Sequence, residues 1–298
     1  MTWLLFALIA PAFYAAANLL DNFLSAQKFR NPLSLVFYAS LFNIAFIPLA
    51  FLFGRGSIPS VHLLPAIIIL GVINIGYLYP YYRGLQSDDT SVAASFFSLS
   101  RILIPLWAYL VVGERLAIVQ YIGMGIILAS VIIVSIRFDK QAFRFSKAFW
   151  YIGAAAFTLS FEGVLFKYLY EHGATVGTAV GGQLAVSFLI ALSLLAIPKV
   201  RKLVRSDFPA FKSSTSIFIA EESFTFAAVM LENQAISRAP VSLVKSISLL
   251  TPFYLILYAK IFGKRFPRWF KEAAGNKALL RKIAAFAGII VGTILIGS

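Results

Sequence analysis

The feature that most constrains this chain is a series of long apolar segments separated by glycine, proline or charged residues. About 20 predominantly apolar residues are enough to cross the hydrocarbon core of a bilayer as an α-helix. Ten such segments are present, at 2–26, 32–54, 63–85, 89–112, 115–136, 148–170, 174–197, 214–236, 240–262 and 282–298. The sequence therefore predicts an all-α membrane protein with ten transmembrane helices.

The composition argues against several classes of function. Of the 298 residues, 13% are charged, whereas a soluble domain has about 25%. With no cysteine and two histidines, the chain has few side chains for metal or nucleophile chemistry, so we expect no metal site and no cofactor. The net charge of +14 comes from short loops between apolar segments, which is typical of membrane proteins and does not indicate nucleic-acid binding.

The distribution of basic residues predicts the orientation in the membrane. The loops after odd-numbered segments, with the residues that flank them, hold nineteen Lys and Arg, and the loops after even-numbered segments hold four. Because basic residues favour the cytoplasmic side, we expect a multipass protein of the cytoplasmic (inner) membrane with both termini outside. The basic and aromatic segment 265–282 is expected to lie along the interface.

The chain resembles itself at an offset of 150 residues. The segment 84–116 aligns with 234–266, so that Ser98 meets Ser248. With five helices in each half, the two halves must be inverted in the membrane, which is a common architecture of secondary transporters. We therefore predict two inverted five-helix repeats, at residues 1–137 and 138–298.

The segment 90–134, "TSVAASFFSLSRILIPLWAYLVVGERLAIVQYIGMGIILASVIIV", contains a small-residue helix, Pro105, the "GERL" turn at 113–116 and a glycine-rich helix. It resembles the EamA repeat of the drug/metabolite transporter superfamily. A similar second copy, at 239–266, has Lys264 where the acidic residue of the turn would be. The resemblance implies a ten-helix carrier that works by alternating access and holds its substrate between the halves. Bacterial members are commonly drawn with cytoplasmic termini, the reverse of the orientation predicted here.

Basic residues at membrane depth are candidates for a substrate site, because a charge in the bilayer is costly without a partner. Lys245 shares one helix face with Ser242 and Ser248, and Arg101 lies near the middle of its segment. We expect Arg101, Lys245 and Ser248 to line a cavity, where the two bases hold an anionic group of the substrate. A snorkelling Lys245 and a structural ion pair of Arg101 are the alternative interpretations.

Acidic residues at depth are the second set of candidates. Glu221 and Glu222 are adjacent in an apolar segment, about 100° apart around the helix, so they face different neighbours. Desolvation disfavours the charged form of a carboxyl group, so both are candidates for proton coupling as well as for substrate binding. Glu162 is interpreted either as a site residue or as the ion-pair partner of Lys245.

Near the predicted helix ends, polar and aromatic residues have a different interpretation. Tyr14 and Asn18 are expected to line the cavity, whereas Asp21, on the same helix face, is expected at a solvated helix end. Glu232 is predicted to be interfacial. The aromatic run "YLYPYY" at 77–82 predicts an interfacial belt, with a cation cage as the alternative.

Acids and bases together predict a carrier and not an enzyme. We expect it to move a small zwitterionic or anionic, amino-acid-like metabolite, with protons as the coupling ion, and to have the lipid bilayer but no nucleic acid as a partner. A flippase for a lipid-linked phosphate or glycan is the second interpretation. An intramembrane lipid transferase is the third, because Asp88 and Asp89 could bind a metal ion, although such a pair more often starts a helix. The sequence specifies neither the direction of transport nor the oligomeric state.

Overall fold

The computed structural model describes residues 2–87, 103–135, 147–262, 287–288 and 290–295. The α-helices within these residues are α1 (Thr2–Phe23), α2 (Pro32–Leu41), α3 (Asn43–Phe53), α4 (Leu64–Ser87), α5 (Leu103–Val112), α6 (Ile118–Ser135), α7 (Lys147–Glu171), α8 (Val176–Ser193), α9 (Pro198–Ile236), α10 (Val241–Ile247) and α11 (Thr251–Phe262). Residues 287–288 and 290–295 are also helical, and no strand is present in the part of the chain that is described. The predictions for Arg101, for Asp88 and Asp89 and for the interfacial segment 265–282 lie outside the described residues.

Several of these helices have the length and composition of membrane spans. In the described residues, five qualify: Thr2–Lys28, Val61–Gly84, Val176–Ala196, Pro198–Ile236 and Val241–Phe262. The number becomes six if α2 and α3, which meet at an angle of 42°, form one broken span. The prediction of an all-α membrane protein is therefore confirmed, and the arrangement of ten helices as inverted repeats stays a prediction.

Helix α9 extends well beyond its predicted bounds. It is 39 residues long and begins at Pro198, so the prediction of a cytoplasmic loop before residue 214 is wrong. Val200 and Val204 are buried in this extension, whereas Arg201 and Arg205 are exposed. Apolar residues four positions apart lie on one face of a helix. The segment before residue 214, predicted to be a basic loop, is therefore an amphipathic helix.

The extension of α9 packs against α2. The hydroxyl of Tyr38 donates to the carbonyl of Val204 at 2.8 Å, and the rings of Tyr38 and Phe211 stack with centroids 4.2 Å apart. The hydroxyl of Ser34 also donates to the carboxylate of Asp207. These tertiary contacts give the extension a buried face, which stabilises it as a helix.

The predicted segment 240–262 is broken in the structure. After α10, Ser248–Leu250 forms a short 3₁₀ turn before α11 begins at Thr251. Proline has no N–H group, so Pro252 cannot donate to the carbonyl of Ser248, four residues earlier. The hydroxyl of Thr251 donates to that carbonyl instead, at 2.8 Å. Lys245, just before this break, and Ser248, within it, line the cavity described below.

The core is shared between the two predicted repeats. Helix α1 packs along α9, α4 packs against α7 and α8, and α3 packs along α8. Each of these pairs joins a helix from residues 1–137 to one from residues 138–298. The two halves therefore meet over an extensive interface, and any cavity between them is lined by both.

A backbone contact without side chains joins α3 to α8. The N–H of Gly177 donates to the carbonyl of Gly54 at 2.9 Å. A Cβ atom on Gly177 would lie 2.5 Å from the backbone nitrogen of Gly56 and 2.7 Å from the carbonyl oxygen of Ala50. Only glycine fits here, because the atoms in the way belong to the main chain and cannot rotate aside.

We expect Gly177→Ala to lower the free energy of unfolding by about 3 kcal/mol, at the upper end of overpacking effects, because α3 and α8 must separate. The measurement is unfolding of the purified protein in detergent. The matched control is Gly153→Ala in α7, where a Cβ atom has no described atom within 4 Å. Equal stability of the two variants would contradict the close approach of α3 and α8.

Candidate functional site

A cavity of about 230 Å³ lies between helices of the two halves. Its charged lining residues, among those described, are Asp21, Glu162, Glu221, Glu222, Glu232 and Lys245. Its uncharged polar lining is formed by Tyr14, Asn18, Ser40, Asn43, Asn74, Tyr77, Tyr81, Tyr82, Gln183, Thr225, Ser248 and Thr251. The lining therefore contains many charged and polar side chains, although the helices that form it are mostly apolar.

A buried ion pair occupies one part of the cavity wall. Nζ of Lys245 donates to Oε2 of Glu232 at 2.7 Å, and both side chains are at most 5% exposed. The hydroxyl of Tyr14 donates to the same oxygen at 3.0 Å, and that of Ser248 donates to Oε1 at 2.6 Å. Both carboxylate oxygens of Glu232 thus accept hydrogen bonds, as a buried charge requires.

This pair corrects two of the sequence predictions. Glu232 is 2% exposed and lies in the cavity wall, so the prediction of an interfacial position is wrong. Glu232, and not Glu162, is the ion-pair partner of Lys245, whereas Glu162 accepts a hydrogen bond from Nε2 of Gln183 at 2.8 Å. Lys245 does not snorkel, because its side chain is buried against α7 and α9.

Gly163 of α7 leaves the space that the side chain of Lys245 fills. A Cβ atom at this position would lie 2.6 Å from Cε of Lys245 and 3.2 Å from Cγ2 of Val241. The lysine stem therefore passes directly over the backbone of α7, next to Glu162. A methyl group at position 163 would therefore require the side chain of Lys245 to shift.

We expect Gly163→Ala to lower the free energy of unfolding by about 1–3 kcal/mol and to slow substrate exchange, because the added methyl group displaces Lys245 from Glu232. Unfolding in detergent and counterflow in proteoliposomes measure the two effects. Gly153→Ala, in the same helix, is again the control. Wild-type behaviour of Gly163→Ala in both assays would show that the position of Lys245 is not critical.

A second cluster joins α1 to α4. The hydroxyl of Tyr82 donates to Oδ1 of Asp21 at 3.0 Å, and that of Tyr81 donates to Oδ2 at 3.3 Å. Tyr81 also approaches Oδ1 of Asn18 at 3.4 Å. Asp21 is 7% exposed, so the prediction of a solvated helix end is wrong. Together with Tyr77, these tyrosines line the cavity, which corrects the prediction of an interfacial belt for them.

Glu221 and Glu222 both line the cavity from α9. Glu221 is 3% exposed, and Oε1 of its carboxylate accepts a hydrogen bond from Thr225, one turn later, at 2.8 Å. Glu222 is partly buried. Two adjacent carboxyl groups at one cavity can hold a cation or exchange protons with water inside it.

The structure brings most of the predicted site residues together. Seven of them line the one cavity, namely Tyr14, Asn18, Glu162, Glu221, Glu222, Lys245 and Ser248. The sequence prediction omitted the amides Asn43, Asn74 and Gln183 and the hydroxyl of Ser40. Ser40 is 2% exposed, and its Oγ has no hydrogen-bond partner among the described residues. A polar residue in the middle of an apolar segment was the available signal for all four.

Several helices of membrane length, arranged around a cavity with charged lining residues, define an integral multipass membrane protein. Residues 1–136 match the EamA-like transporter family. The resemblance of the sequence to the EamA-type transporters of the drug/metabolite transporter superfamily is thereby confirmed for these residues.

Two further comparisons concern the whole chain. No curated protein matches it. A solved structure described as "Crystal structure of protein" superposes with a TM-score of 0.64 at 17% sequence identity, over 98% of this chain and 99% of the other. At this identity the similarity concerns the fold alone, and it extends over both halves of the chain.

Proposed function

We propose that the protein is a secondary-active carrier that moves a small, polar, amine-bearing metabolite across the cytoplasmic membrane by alternating access. In this proposal the ten helices form two inverted repeats, at residues 1–137 and 138–298, with both termini outside. The position of the cavity between helices of the two halves supports it, since a rocking of one half against the other would open the cavity to either side.

The charge of the cavity wall is the observation that carries the choice of substrate. Of its described residues, five are acidic, and the one base, Lys245, is already paired with Glu232. Among the described residues, Asp21, Glu221 and Glu222 have no basic partner. In its charged form, such a carboxylate attracts a cationic group and repels an anion. A substrate amine can therefore face Asp21, Glu221 and Glu222, which makes a zwitterion or amine a better fit than a simple anion.

A zwitterionic, amino-acid-like substrate also needs a partner for its carboxylate. Lys245 becomes that partner if the substrate opens its pair with Glu232, and Arg101 remains a second predicted partner, outside the described residues. The amides of Asn43 and Asn74 can add neutral hydrogen bonds, and so can the hydroxyl of Ser40, for which the described part of the chain provides no partner. The volume of about 230 Å³ is below the roughly 300–1,000 Å³ of pockets for drug-sized ligands, which suits a small metabolite.

Protons are the proposed coupling ion. A carboxyl group that lines the cavity, as Glu221 and Glu222 do, can bind a proton from one side of the membrane and release it on the other. Competition between a proton and the substrate amine for the same carboxylates would link the two fluxes. The same negative charge disfavours a lipid-linked phosphate, because an anionic headgroup would have to pass beside these carboxylates.

A ligand screen by thermal unfolding at two pH values tests this function. The panel contains amino acids, sugars, organic cations and polyprenyl phosphates, each added to the purified protein in detergent. A ligand at about 100 times its dissociation constant stabilises the folded state by roughly 2.7 kcal/mol. We expect stabilisation by amine-bearing solutes, lost in Glu222→Gln and kept in Glu171→Gln, which removes a carboxylate whose side chain is 42% exposed. Stabilisation by polyprenyl phosphates alone would favour the flippase instead.

A further inference from the structure

One carboxylate of the first half caps a helix of the second half. Glu114 belongs to the "GERL" turn that follows α5. Its Oε2 accepts a hydrogen bond from the N–H of Val241 at 2.7 Å, and its Oε1 accepts one from the N–H of Ser242 at 3.1 Å. These are the first two residues of α10, whose N–H groups have no partner within the helix. The preceding residue, Pro240, provides no side-chain cap.

The capped helix carries part of the cavity wall. Lys245 lies one turn after Val241, and Ser248 follows at the end of α10. The turn that precedes α10 is bound to the second half by Nζ of Lys167, which donates to the carbonyl of Ala239 at 3.2 Å. Glu114 therefore adds a charged, two-point contact from the other half, one helical turn before Lys245 of the cavity wall.

We propose that Glu114 is a positioning residue for transport, whose carboxylate holds α10 against the first half and is released when the cavity opens at this end. The inference rests on the proposed alternating access, because opening requires the two halves to separate. Bonds from N–H groups to a carboxylate are among the stronger hydrogen bonds of proteins, and negative charge is favoured at a helix N-terminus. The contact thus favours the state in which this end is closed.

The repeat does not provide the same side chain on the other half. The offset of 150 residues pairs Glu114 with Lys264, and the ammonium group of lysine has no acceptor atom. A lysine cannot accept hydrogen bonds from the N–H groups of a helix start. The side chain at position 264 therefore cannot make the contact that Glu114 makes.

A chain without cysteine allows a direct test with single-cysteine reporters. Ser242→Cys places a thiol beside the contact with Glu114, at a position that is 1% exposed in the structure. The matched reporter is Ser214→Cys in α9, because Ser214 is also buried and its Oγ, like that of Ser242, has no partner among the described residues. The labelling rate of each thiol by a maleimide is measured in detergent, where both sides are accessible.

We expect Glu114→Gln to raise the labelling rate at Cys-substituted Ser242 about tenfold, since a charged capping interaction is worth about one order of magnitude in an equilibrium. Labelling at Ser214→Cys should not change, and neither should labelling at Ser242→Cys in the control Arg115→Gln, which alters an exposed neighbour. The assignment of Glu114 would be overturned if Ser242→Cys were labelled at the same rate with and without Glu114. It would also be overturned if Ser242→Cys were labelled fast when Glu114 is present, or if the rate rose equally at Ser214→Cys.

This result does not depend on identifying a substrate. If no solute in the ligand screen binds but labelling at residue 242 responds to Glu114→Gln, the contact is a gate and the proposed substrate class is wrong. If solutes bind but labelling does not respond, the carrier function stands and the role of Glu114 fails.

Discussion

Glu232→Gln is expected to lower the free energy of unfolding by about 3–5 kcal/mol, because it leaves the ammonium group of Lys245 buried without a counter-charge. The same substitution weakens the hydrogen bonds from Tyr14 and Ser248, which both end on the Glu232 carboxylate. Lys245→Met, which removes the other charge, is expected to have an effect of the same size. Unfolding of the purified protein in detergent measures both.

The double variant Glu232→Gln/Lys245→Met distinguishes a structural role of the ion pair from a role in transport. Removing both charges leaves no uncompensated ion, so the double variant should be more stable than the sum of the single effects predicts, by about 1–3 kcal/mol. If the pair opens to hold a substrate, the double variant should be stable but inactive in counterflow. Additive single effects would contradict the ion pair, and wild-type counterflow in a stable double variant would make the pair purely structural.

The elements that could be predicted are those in which length and local composition decide the structure. The predicted segment 148–170 corresponds to α7 at Lys147–Glu171, and 2–26 corresponds to α1 with the π-helix that follows it. In both, an apolar segment of bilayer length permits only a helix, because the main chain must satisfy its own hydrogen bonds in lipid. The bounds are therefore correct to within a few residues.

The extension of α9 could not be predicted from composition, because its five basic residues between 198 and 213 are equally typical of a cytoplasmic loop. What makes it a helix is a tertiary contact with α2, in which Tyr38 stacks on Phe211 and donates to Val204. The four-residue spacing of Val200 and Val204 is visible in the sequence. It predicts a helix only if a partner surface covers these residues, since an isolated helix of this length is marginal in water.

The residues of the candidate site, like the helices, could be predicted only in part. Residues such as Glu221 and Lys245 could be selected because a charge in an apolar segment is rare and costly. Their partners could not, because Glu232 was assigned a depth from its distance along the helix and not from its neighbours. Asp21 was misjudged for the same reason, since Tyr82, its hydrogen-bond partner, lies 61 positions away in the chain. Pairing between helices depends on packing, which a single sequence does not specify.

Glu221→Gln is expected to abolish proton-driven accumulation of substrate while substrate exchange continues. Glu221 is almost fully buried at the cavity and accepts one hydrogen bond from Thr225. Glutamine keeps the shape and an acceptor oxygen for that bond, but it cannot bind and release a proton. Exchange of labelled for unlabelled substrate needs no net proton movement, so it should survive.

The size of this effect follows from the gradient. With one proton per solute, a difference of one pH unit corresponds to about 1.4 kcal/mol and thus to an accumulation of about tenfold. In proteoliposomes the accumulation ratio of Glu221→Gln should fall to about 1, with counterflow at a rate comparable to that of the unaltered protein. Glu171→Gln is the control, because it removes a carboxylate at the exposed end of α7 and should keep both activities.

Comparison with Glu222→Gln shows which of the two adjacent carboxyl groups carries the proton. Both carboxyl groups line the cavity from α9, and that of Glu221 accepts a hydrogen bond from Thr225 in the same helix. If Glu221→Gln still accumulates substrate about tenfold and Glu222→Gln does not, the proton is carried by Glu222. If both single variants accumulate substrate normally, neither residue carries the proton alone. Loss of counterflow together with accumulation in Glu221→Gln would instead make Glu221 a substrate ligand, because a residue needed only for the proton is not required for exchange.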